Sequence, residues 1–244
     1  MATALTINQA GIYKEPLLVL GDSISKGVVL DPVKKRYRQI KDCFVDKLSK
    51  DAHLSVLNLS VFGATIKKGL NQVKRYDDVL TTGGIALLQF GGNDCDFDWS
   101  AISHDPDGEH LPQVPLTDFV SQYEQLIDIL EQRNYQPVLM NLPPLIHKRY
   151  FTALSRGLDD KAILKWLGGT TEAIYLWHES YNDAVEEIAG KRELPLMDIR
   201  SVFLQQSIVE DYMCEDGIHP NDMGHQLIAT VLESYGGDYE ESPA

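Results

Sequence analysis

Short runs of consecutive apolar residues recur along the chain, and longer amphipathic stretches separate them. A run that is apolar at every position is typical of a strand buried on both faces, whereas apolar positions three or four apart are typical of a helix. The runs predict five strands, at 17–20, 55–59, 85–90, 137–142 and 194–199. The amphipathic stretches predict helices at about 33–50, 66–80, 116–133, 172–189 and 221–235. This alternation predicts an α/β fold in which helices cover both faces of a parallel sheet.

Two stretches are longer than the connections of such a sheet require. They span 96–115 and 143–171, and both carry aromatic residues among charged and polar ones. Long insertions in compact α/β domains are commonly lids or substrate-binding loops. An excursion with a small aromatic core of its own is an equally good interpretation. Residues 1–244 are otherwise predicted to form a single domain, because a chain of this length can bury one substantial core.

The most unusual polar residues follow the predicted strands at their carboxyl ends. Ser23 follows the first strand, Gly63 the second and Asn93 the third. Asp216 and His219 come after the fifth strand. Ligands of open parallel sheets bind beyond the carboxyl ends of the strands. The predicted topology therefore brings these five residues to one edge of the sheet.

Serine, histidine and aspartate together can catalyse acyl transfer. A serine hydroxyl is a poor nucleophile until an imidazole accepts its proton and a carboxylate orients that imidazole. Asp216 and His219 are three residues apart, so a single turn can bring the carboxylate to the imidazole. Acyl transfer also needs donors for an oxyanion, and the candidates are the N–H of Ser23, the N–H of Gly63 and the side-chain amide of Asn93. Ser23 is further predicted to begin a helix, whose free N–H groups and dipole would favour negative charge there.

At these positions the chain resembles the SGNH hydrolase family, also called the GDSL lipase and esterase family. The residues that carry the resemblance are Ser23, Gly63, Asn93, Asp216 and His219. It spans nearly the whole chain and implies a flavodoxin-like three-layer α/β/α fold with a parallel five-stranded sheet. It also implies Ser-His-Asp catalysis without metal or cofactor, and an oxyanion hole of Ser23, Gly63 and Asn93. Ile24 stands where the family motif has leucine, which exchanges one apolar residue for another.

The charge of the chain limits the classes of partner. Lys and Arg number 22 against 36 Asp and Glu, which gives a formal charge of −14 at pH 7. Such a surface repels phosphate backbones and anionic headgroups, so we expect neither nucleic acid nor a membrane as partner. Residues 1–9 have neither a basic start nor an unbroken apolar stretch, and no secretory signal is predicted. Three cysteines without metal-ligand spacing are typical of reduced thiols, which predicts a cytoplasmic protein.

Five other residues that could carry chemistry are predicted to have structural roles. His225 lies six residues beyond the candidate base and would face another side of the last helix, as a surface or packing residue. His178 is predicted to pack within its helix, with a substrate contact as the alternative. Cys95 has no base close to it in sequence, which favours a small buried residue near the site. Asp22 and Asp94 are predicted to order their turns.

These observations predict a serine esterase acting on a small carboxylic ester, with an acetylated carbohydrate as one candidate substrate. Aromatic faces beside polar neighbours, as in both insertions, suit sugar rings or compact polar esters. We therefore expect activity on acetyl to butyryl esters and little on chains of about twelve carbons. Acyl transfer to an acceptor other than water would use the same residues and stays open. A ligand-binding domain without catalysis is a further alternative, against which the intact residue set argues. A metal-dependent phosphoesterase fits poorly, because the carboxylates and histidines lack a closed ligand set.

Overall fold

The computed structural model describes residues 17–51, 55–80 and 83–237. Residues 1–9, on which the prediction about a secretory signal rests, lie outside this part of the chain. The strands are β1 (Leu17–Gly21), β2 (Val28–Leu30), β3 (Tyr37–Gln39), β4 (Val56–Asn58), β5 (Gly84–Gln89), β6 (Tyr135–Met140) and β7 (Leu196–Met197). Five of them form one parallel sheet in the order β4-β1-β5-β6-β7. Counted among the sheet strands alone, this is the flavodoxin-like order 2-1-3-4-5.

Helices fill the connections between the strands. They are α1 (Phe44–Asp51), α2 (Ile66–Arg75), α3 (Trp99–His104), α4 (Leu116–Glu131), α5 (His147–Leu154), α6 (Asp160–Trp166), α7 (Glu172–Lys191), α8 (Ile199–Leu204) and α9 (Asp222–Gly237). A short 3-10 helix, Val209–Tyr212, precedes the last turn before α9. Asn221 fixes the start of α9 with both ends of its side-chain amide. Its Oδ1 accepts a hydrogen bond from the N–H of Gly224 at 3.0 Å, and its Nδ2 donates to Asp211 O at 2.7 Å.

The sheet is buried on both faces, which explains its uninterrupted apolar strands. Successive residues of a strand point to opposite faces. Leu18 and Leu20 of β1 belong to the hydrophobic cluster that contains residues of α2, α4 and α7. Leu17 and Val19 belong to the cluster that contains residues of α1, α8 and α9. The predicted three-layer α/β/α arrangement with a parallel five-stranded sheet is therefore confirmed.

The helix predicted at 33–50 is wrong in its first half. Residues Val28–Leu30 and Tyr37–Gln39 instead pair as an antiparallel hairpin, and α1 begins only at Phe44. Asp31 stabilises the tip of the hairpin, because its Oδ1 accepts hydrogen bonds from the N–H groups of residues 33 and 34. Local side-chain bonds of this kind compete with helix formation. The basic residues Lys34, Lys35 and Arg36 therefore lie in the loop between the two strands of the hairpin.

The two insertions fold together beside the sheet. Insertion 96–115 contains α3, and insertion 143–171 contains α5 and α6. Their buried residues form a third hydrophobic cluster around Ile102, Leu145 and Ile163, against which Phe97, Trp99, Tyr150 and Trp166 pack. The interpretation of an aromatic core within the insertions is thus confirmed. The same rings also wall a cavity, as described below.

Within the described residues, none of the helices combines the length and the apolar composition that crossing a bilayer requires.

Candidate active site

Ser23 lies in a tight turn at the carboxyl end of β1, the strand between β4 and β5. The predicted helix after it is wrong, since residues 22–27 make one closed turn and then enter β2. Three backbone hydrogen bonds close the turn: Lys26 N–H to Asp22 O, Gly27 N–H to Ile24 O and Val28 N–H to Ser23 O, at 3.1, 2.9 and 2.8 Å. Gly27 has φ +75°, and a Cβ there would lie 2.6 Å from Cys43 Cβ. The turn, not a helix terminus, fixes Ser23.

Ser23, His219 and Asp216 form one continuous hydrogen-bonded chain. The distance between His219 Nε2 and Ser23 Oγ is 2.8 Å, and that between His219 Nδ1 and Asp216 Oδ2 is also 2.8 Å. All three residues are buried, at 6, 4 and 3% exposure in that order. The imidazole can accept the serine proton on one side while the carboxylate holds its other nitrogen protonated. The arrangement therefore has the geometry that an activated serine requires.

The loop of residues 216–219 fixes the carboxylate of Asp216 relative to the imidazole of His219. Asp216 Oδ1 accepts hydrogen bonds from the N–H groups of Ile218 and His219, at 3.1 and 3.2 Å. Gly217 has φ +78°, and a Cβ there would lie 2.6 Å from the carbonyl oxygen of Ile146. Ile146 in turn donates its N–H to Gly217 O at 2.8 Å. Glycine is thus needed where this loop touches the start of α5.

Asp216 is held in its ionised form. Burial alone would raise the pKa of this carboxyl, but the hydrogen bond and charge of His219 and the two backbone N–H groups outweigh it. The net effect is a pKa below the usual aspartate value. An ionised Asp216 can both orient the His219 ring and stabilise positive charge on it.

The candidate oxyanion donors Ser23, Gly63 and Asn93 lie in the loops that follow β1, β4 and β5. Among the described residues, the backbone N–H groups of Ser23 and Gly63 donate to no other protein group. Gly63 has φ +68°, and a Cβ there would meet no atom within 4 Å, so its left-handed backbone alone requires glycine. Asn58 ties this loop to the serine turn by donating its Nδ2 to Ser25 O at 2.9 Å.

Asn93 differs from the other two donors because its amide is already engaged. Its Nδ2 donates to Asp22 Oδ2 at 3.1 Å and to Ala64 O at 3.2 Å. Asp22 also orders the serine turn by accepting the N–H of Ile24 at 2.8 Å, as predicted. Burial raises the pKa of Asp22 to about 6 against the lowering effect of its hydrogen bonds. Asp22 thus connects the serine turn to the Asn93 side chain.

Two aromatic residues beside the histidine were missed by the sequence reasoning. The ring of Tyr37 lies 5.1 Å from that of His219, and the ring of Phe62 stacks on it at 6.2 Å. Both aromatic side chains are about half exposed, so they form the open rim of the site. Phe62 directly precedes Gly63, which was the available clue. Tyr37 gave none, because its segment was predicted to be helical.

On its other side Ser23 borders a cavity of about 420 Å³ beneath the two insertions. The wall contains the aromatic residues Phe97, Trp99, Tyr150, Trp166 and Trp177. Ser23, Asn93 and His219 lie in the same wall. Aromatic side chains with a few polar groups among them are typical of small-molecule sites. Residues of both insertions therefore contribute to the wall of this cavity, and a role of the insertions as a lid or substrate-binding region stays a prediction.

Two further candidates from the sequence, His225 and Cys95, are packed residues. His225 is fully buried and its ring stacks on Phe44 at 5.9 Å, which confirms the packing interpretation. Burial lowers the pKa of His225 to about 3, so the ring is neutral. Cys95 is buried as predicted, its Sγ donates to Gly92 O at 3.3 Å, and burial raises its pKa well above that of a free thiol. An un-ionised thiol is a weak nucleophile.

In the part of the chain that the structure describes, no three His, Cys, Asp or Glu side chains come together in a way that could hold a metal ion.

Asp94 holds the start of α2 by a hydrogen bond, and its burial makes the stability of the fold depend on pH. The residue is fully buried, and its Oδ1 accepts the first N–H of α2, that of Ile66, at 2.8 Å. Its Oδ2 has no partner among the described residues. Burial raises the pKa of Asp94 to about 7. The folded chain therefore retains a proton that the unfolded chain has already released, and stability decreases as pH rises towards 7.

We expect Asp94→Asn to remove this dependence, because asparagine keeps the oxygen that caps α2 and cannot ionise. Relative to the wild type, the variant should gain up to about 3 kcal/mol in unfolding free energy between pH 5 and pH 8, at about 1.4 kcal/mol per pH unit. Urea unfolding of both proteins at several pH values measures this difference. A difference that stays constant with pH would contradict the raised pKa.

Comparison with known protein families gives a match over most of the chain. The family model described as the GDSL-like lipase/acylhydrolase family matches residues 19–227. This range includes all five candidate residues of the site. A comparison with curated protein sequences gives no match.

Solved structures with the same fold include several hydrolases. A lipase/acylhydrolase from Enterococcus faecalis is 16% identical, with a TM-score of 0.64 over 93% of this chain and 99% of that one. A catalytic mutant of the acetylxylan esterase Axe2 from Geobacillus stearothermophilus is 16% identical, with a TM-score of 0.62 over 94% and 98%. An α/β hydrolase from the metagenome of Lake Arreo, Spain, is 17% identical, with a TM-score of 0.62 over 93% and 97%. At these identities the likeness concerns the fold.

Proposed function

Because the chain belongs to the GDSL-like lipase/acylhydrolase family and is a carboxylic ester hydrolase, we propose that Ser23, His219 and Asp216 are its catalytic triad. The observation that carries the proposal is the pair of 2.8 Å distances that join the three side chains. Their burial adds support, because hydrogen bonds and charges act more strongly away from water. The hydrolase acts through an acyl-enzyme on Ser23.

In the first half of the reaction, Ser23 Oγ attacks the ester carbonyl carbon while its proton moves to His219 Nε2. The carbonyl oxygen becomes an oxyanion, which accepts hydrogen bonds from the N–H groups of Ser23 and Gly63 and from Asn93 Nδ2. Asn93 makes its bond by exchanging one of its present acceptors for the oxyanion. Each such donor contributes about 3–4 kcal/mol of transition-state stabilisation. His219 then protonates the leaving alcohol, and the carbon–oxygen bond of the ester breaks.

In the second half, a water molecule replaces the alcohol. His219 Nε2 accepts a proton from the water as the water oxygen attacks the acyl carbon. The second oxyanion occupies the same donors, and His219 returns the proton to Ser23 Oγ as the acid leaves. Throughout, Asp216 stays ionised and compensates the transient positive charge of His219.

We further propose that the substrate is a small ester with an acetyl to butyryl group. Asp96, His110 and His178 place polar side chains among the aromatic and aliphatic residues of the cavity wall, which suits a compact ester with polar groups better than a long alkyl chain. An acetylated carbohydrate is a candidate of this class, since one of the structurally similar proteins is an acetylxylan esterase. The half-exposed rings of Tyr37 and Phe62 offer faces on which a sugar could stack.

The chain-length prediction is tested with 4-nitrophenyl esters of two to twelve carbons and with acetylated xylo-oligosaccharides. We expect kcat/KM to be highest for the acetyl to butyryl esters and at least about tenfold lower at twelve carbons, because the long chain leaves apolar surface in water. A preference for the twelve-carbon ester, or activation at an oil–water interface, would contradict it. Adding an acceptor alcohol and analysing the products distinguishes hydrolysis from acyl transfer.

A further inference from the structure

Three aromatic side chains in the wall of the cavity beside Ser23 have their polar atoms bonded within the protein. The indole N–H of Trp99 and the hydroxyl of Tyr150 both donate to Asp96 Oδ1, at 2.8 and 2.6 Å. The indole N–H of Trp177 donates to Cys95 O at 2.9 Å. These groups are satisfied without a ligand, so the rings offer the cavity mainly their apolar surfaces.

His178 is an exception in this wall. It is carried by α7, lies in the lining of the cavity and is only 6% exposed. Its Nδ1 is buried without a hydrogen-bond partner in the part of the chain that the structure describes. Its Nε2 is less buried and has no partner there either, so Nε2 is the ring nitrogen that a bound molecule can reach. A buried polar group without a partner costs stability, and such a group in a folded protein calls for an explanation such as an ordered water, an ion or a functional role.

The imidazole of His178 is uncharged. Burial, with a further contribution from the positive charge of Arg200, lowers its pKa to about 3. A neutral imidazole offers one donor and one acceptor. Nε2 is the donor in one tautomer and the acceptor in the other, and an uncharged hydroxyl group can bond to it in either case.

We propose that His178 determines specificity by hydrogen bonding to a hydroxyl group on the acyl half of the ester. Because an acetyl group has no such hydroxyl, the proposal favours a hydroxylated acyl group of up to about four carbons over the acetylated carbohydrate. The proposal rests on the proposed triad, because it places the acyl half in the cavity next to Ser23. The acyl half stays bound to Ser23 after the alcohol has left, so it suits the enclosed side of the site. The alcohol must depart before water attacks, and the rim with Tyr37 and Phe62 is the open side.

The test uses pairs of 4-nitrophenyl esters that differ only by hydroxyl against methyl. One pair is the 3-hydroxybutyrate and the 3-methylbutyrate, and the other is the 3-(4-hydroxyphenyl)propanoate and the 3-(4-methylphenyl)propanoate. Each pair has nearly the same shape, and the two pairs reach different depths. A third pair, 2-(4-hydroxyphenyl)ethyl and 2-(4-methylphenyl)ethyl acetate, carries the same difference on the alcohol half.

The wild type should prefer the hydroxyl ester of at least one acyl pair by about 10- to 100-fold in kcat/KM, since the methyl analogue leaves His178 unpaired. In His178→Phe the ratio should fall to about one, because the hydroxyl ester loses more activity than the methyl ester. His178→Gln keeps a donor and an acceptor and should retain part of the preference. A merely structural role would lower both members of a pair equally.

The wild-type ratios alone can overturn the proposal, whether or not the variants fold. Ratios near one for both acyl pairs, or ratios that are the same in wild type and His178→Phe, would refute it. A preference found only in the alcohol pair would refute the placement of the acyl half. These outcomes differ from failure of the proposed triad, in which Ser23→Ala would keep its activity on every ester.

Discussion

Replacing Ser23 by alanine is expected to lower kcat by about 10⁴- to 10⁶-fold, because the members of a triad act as one unit and alanine cannot form the acyl-enzyme. The fold should be unaffected, since Ser23 Oγ bonds only His219 and the turn around it is closed by backbone hydrogen bonds. Initial rates on 4-nitrophenyl acetate measure the loss, and a thermal melt checks the fold.

Ser25→Ala is the matched control for this experiment. Ser25 lies in the same turn and is fully buried, and its hydroxyl donates to Gln89 Oε1 at 3.0 Å, away from His219. Its loss should lower the melting temperature and leave kcat within about tenfold, since one buried hydrogen bond is worth about 1 kcal/mol. Equal losses of activity in the two variants would mean that the turn, and not the Ser23 hydroxyl, is what activity requires.

The second large effect is expected at His219, where alanine should reduce kcat about as much as Ser23→Ala does. Without the imidazole the serine proton has no acceptor, and the leaving alcohol has no donor. The double variant should be no slower than either single variant, because a triad without its serine or its base is already inactive. Kinetics of the two single variants and the double variant measure this. Losses that multiply would contradict a shared role.

Asp216→Asn tests the third member of the proposed triad, and its loss of activity is compared with that of His219→Ala. Asparagine keeps the shape of the side chain but removes the charge that stabilises a protonated ring, and it can hold the imidazole in the wrong tautomer. We expect a large loss that is nevertheless smaller than that of His219→Ala. A loss of less than about tenfold would contradict the role assigned to the carboxylate.

The arrangement of the site could be predicted from the sequence because it follows from topology. Ser23, Gly63 and Asn93 each come directly after a strand, and adjacent parallel strands end at the same edge of the sheet. The apolar runs were sufficient to identify those strands. Pairing of Asp216 with His219 was local enough to be expected from their spacing. Their catalytic roles are proposals that the experiments above test.

The surroundings of the site could not be predicted, because they depend on contacts distant in sequence. The hairpin that brings Tyr37 to His219 joins residues 182 positions apart in the chain, and its basic residues resemble a helix face. A helix after Ser23 was expected because helices usually follow the strands of an α/β fold. Tertiary contacts decided against both helices, as they commonly override local propensity.

The place of His178 in the cavity wall could not be predicted from the sequence either. On the sequence it is one polar residue in an amphipathic helix, and packing was the reasonable interpretation. Only the assembled insertions show that α7 forms part of the wall of a cavity shared with Ser23. A missing hydrogen-bond partner is a property of the folded molecule and leaves no pattern in the sequence.

The central claim is that Ser23 is the covalent nucleophile, and labelling by an organophosphonate ester tests it most directly. The reagent phosphonylates an activated serine and mimics the tetrahedral intermediate, and digestion followed by mass spectrometry locates the added mass. We expect one adduct per chain, on the peptide that contains Ser23, with loss of activity in proportion to labelling and no adduct in His219→Ala. Labelling at Cys95, or an active preparation that takes no label at Ser23, would contradict it.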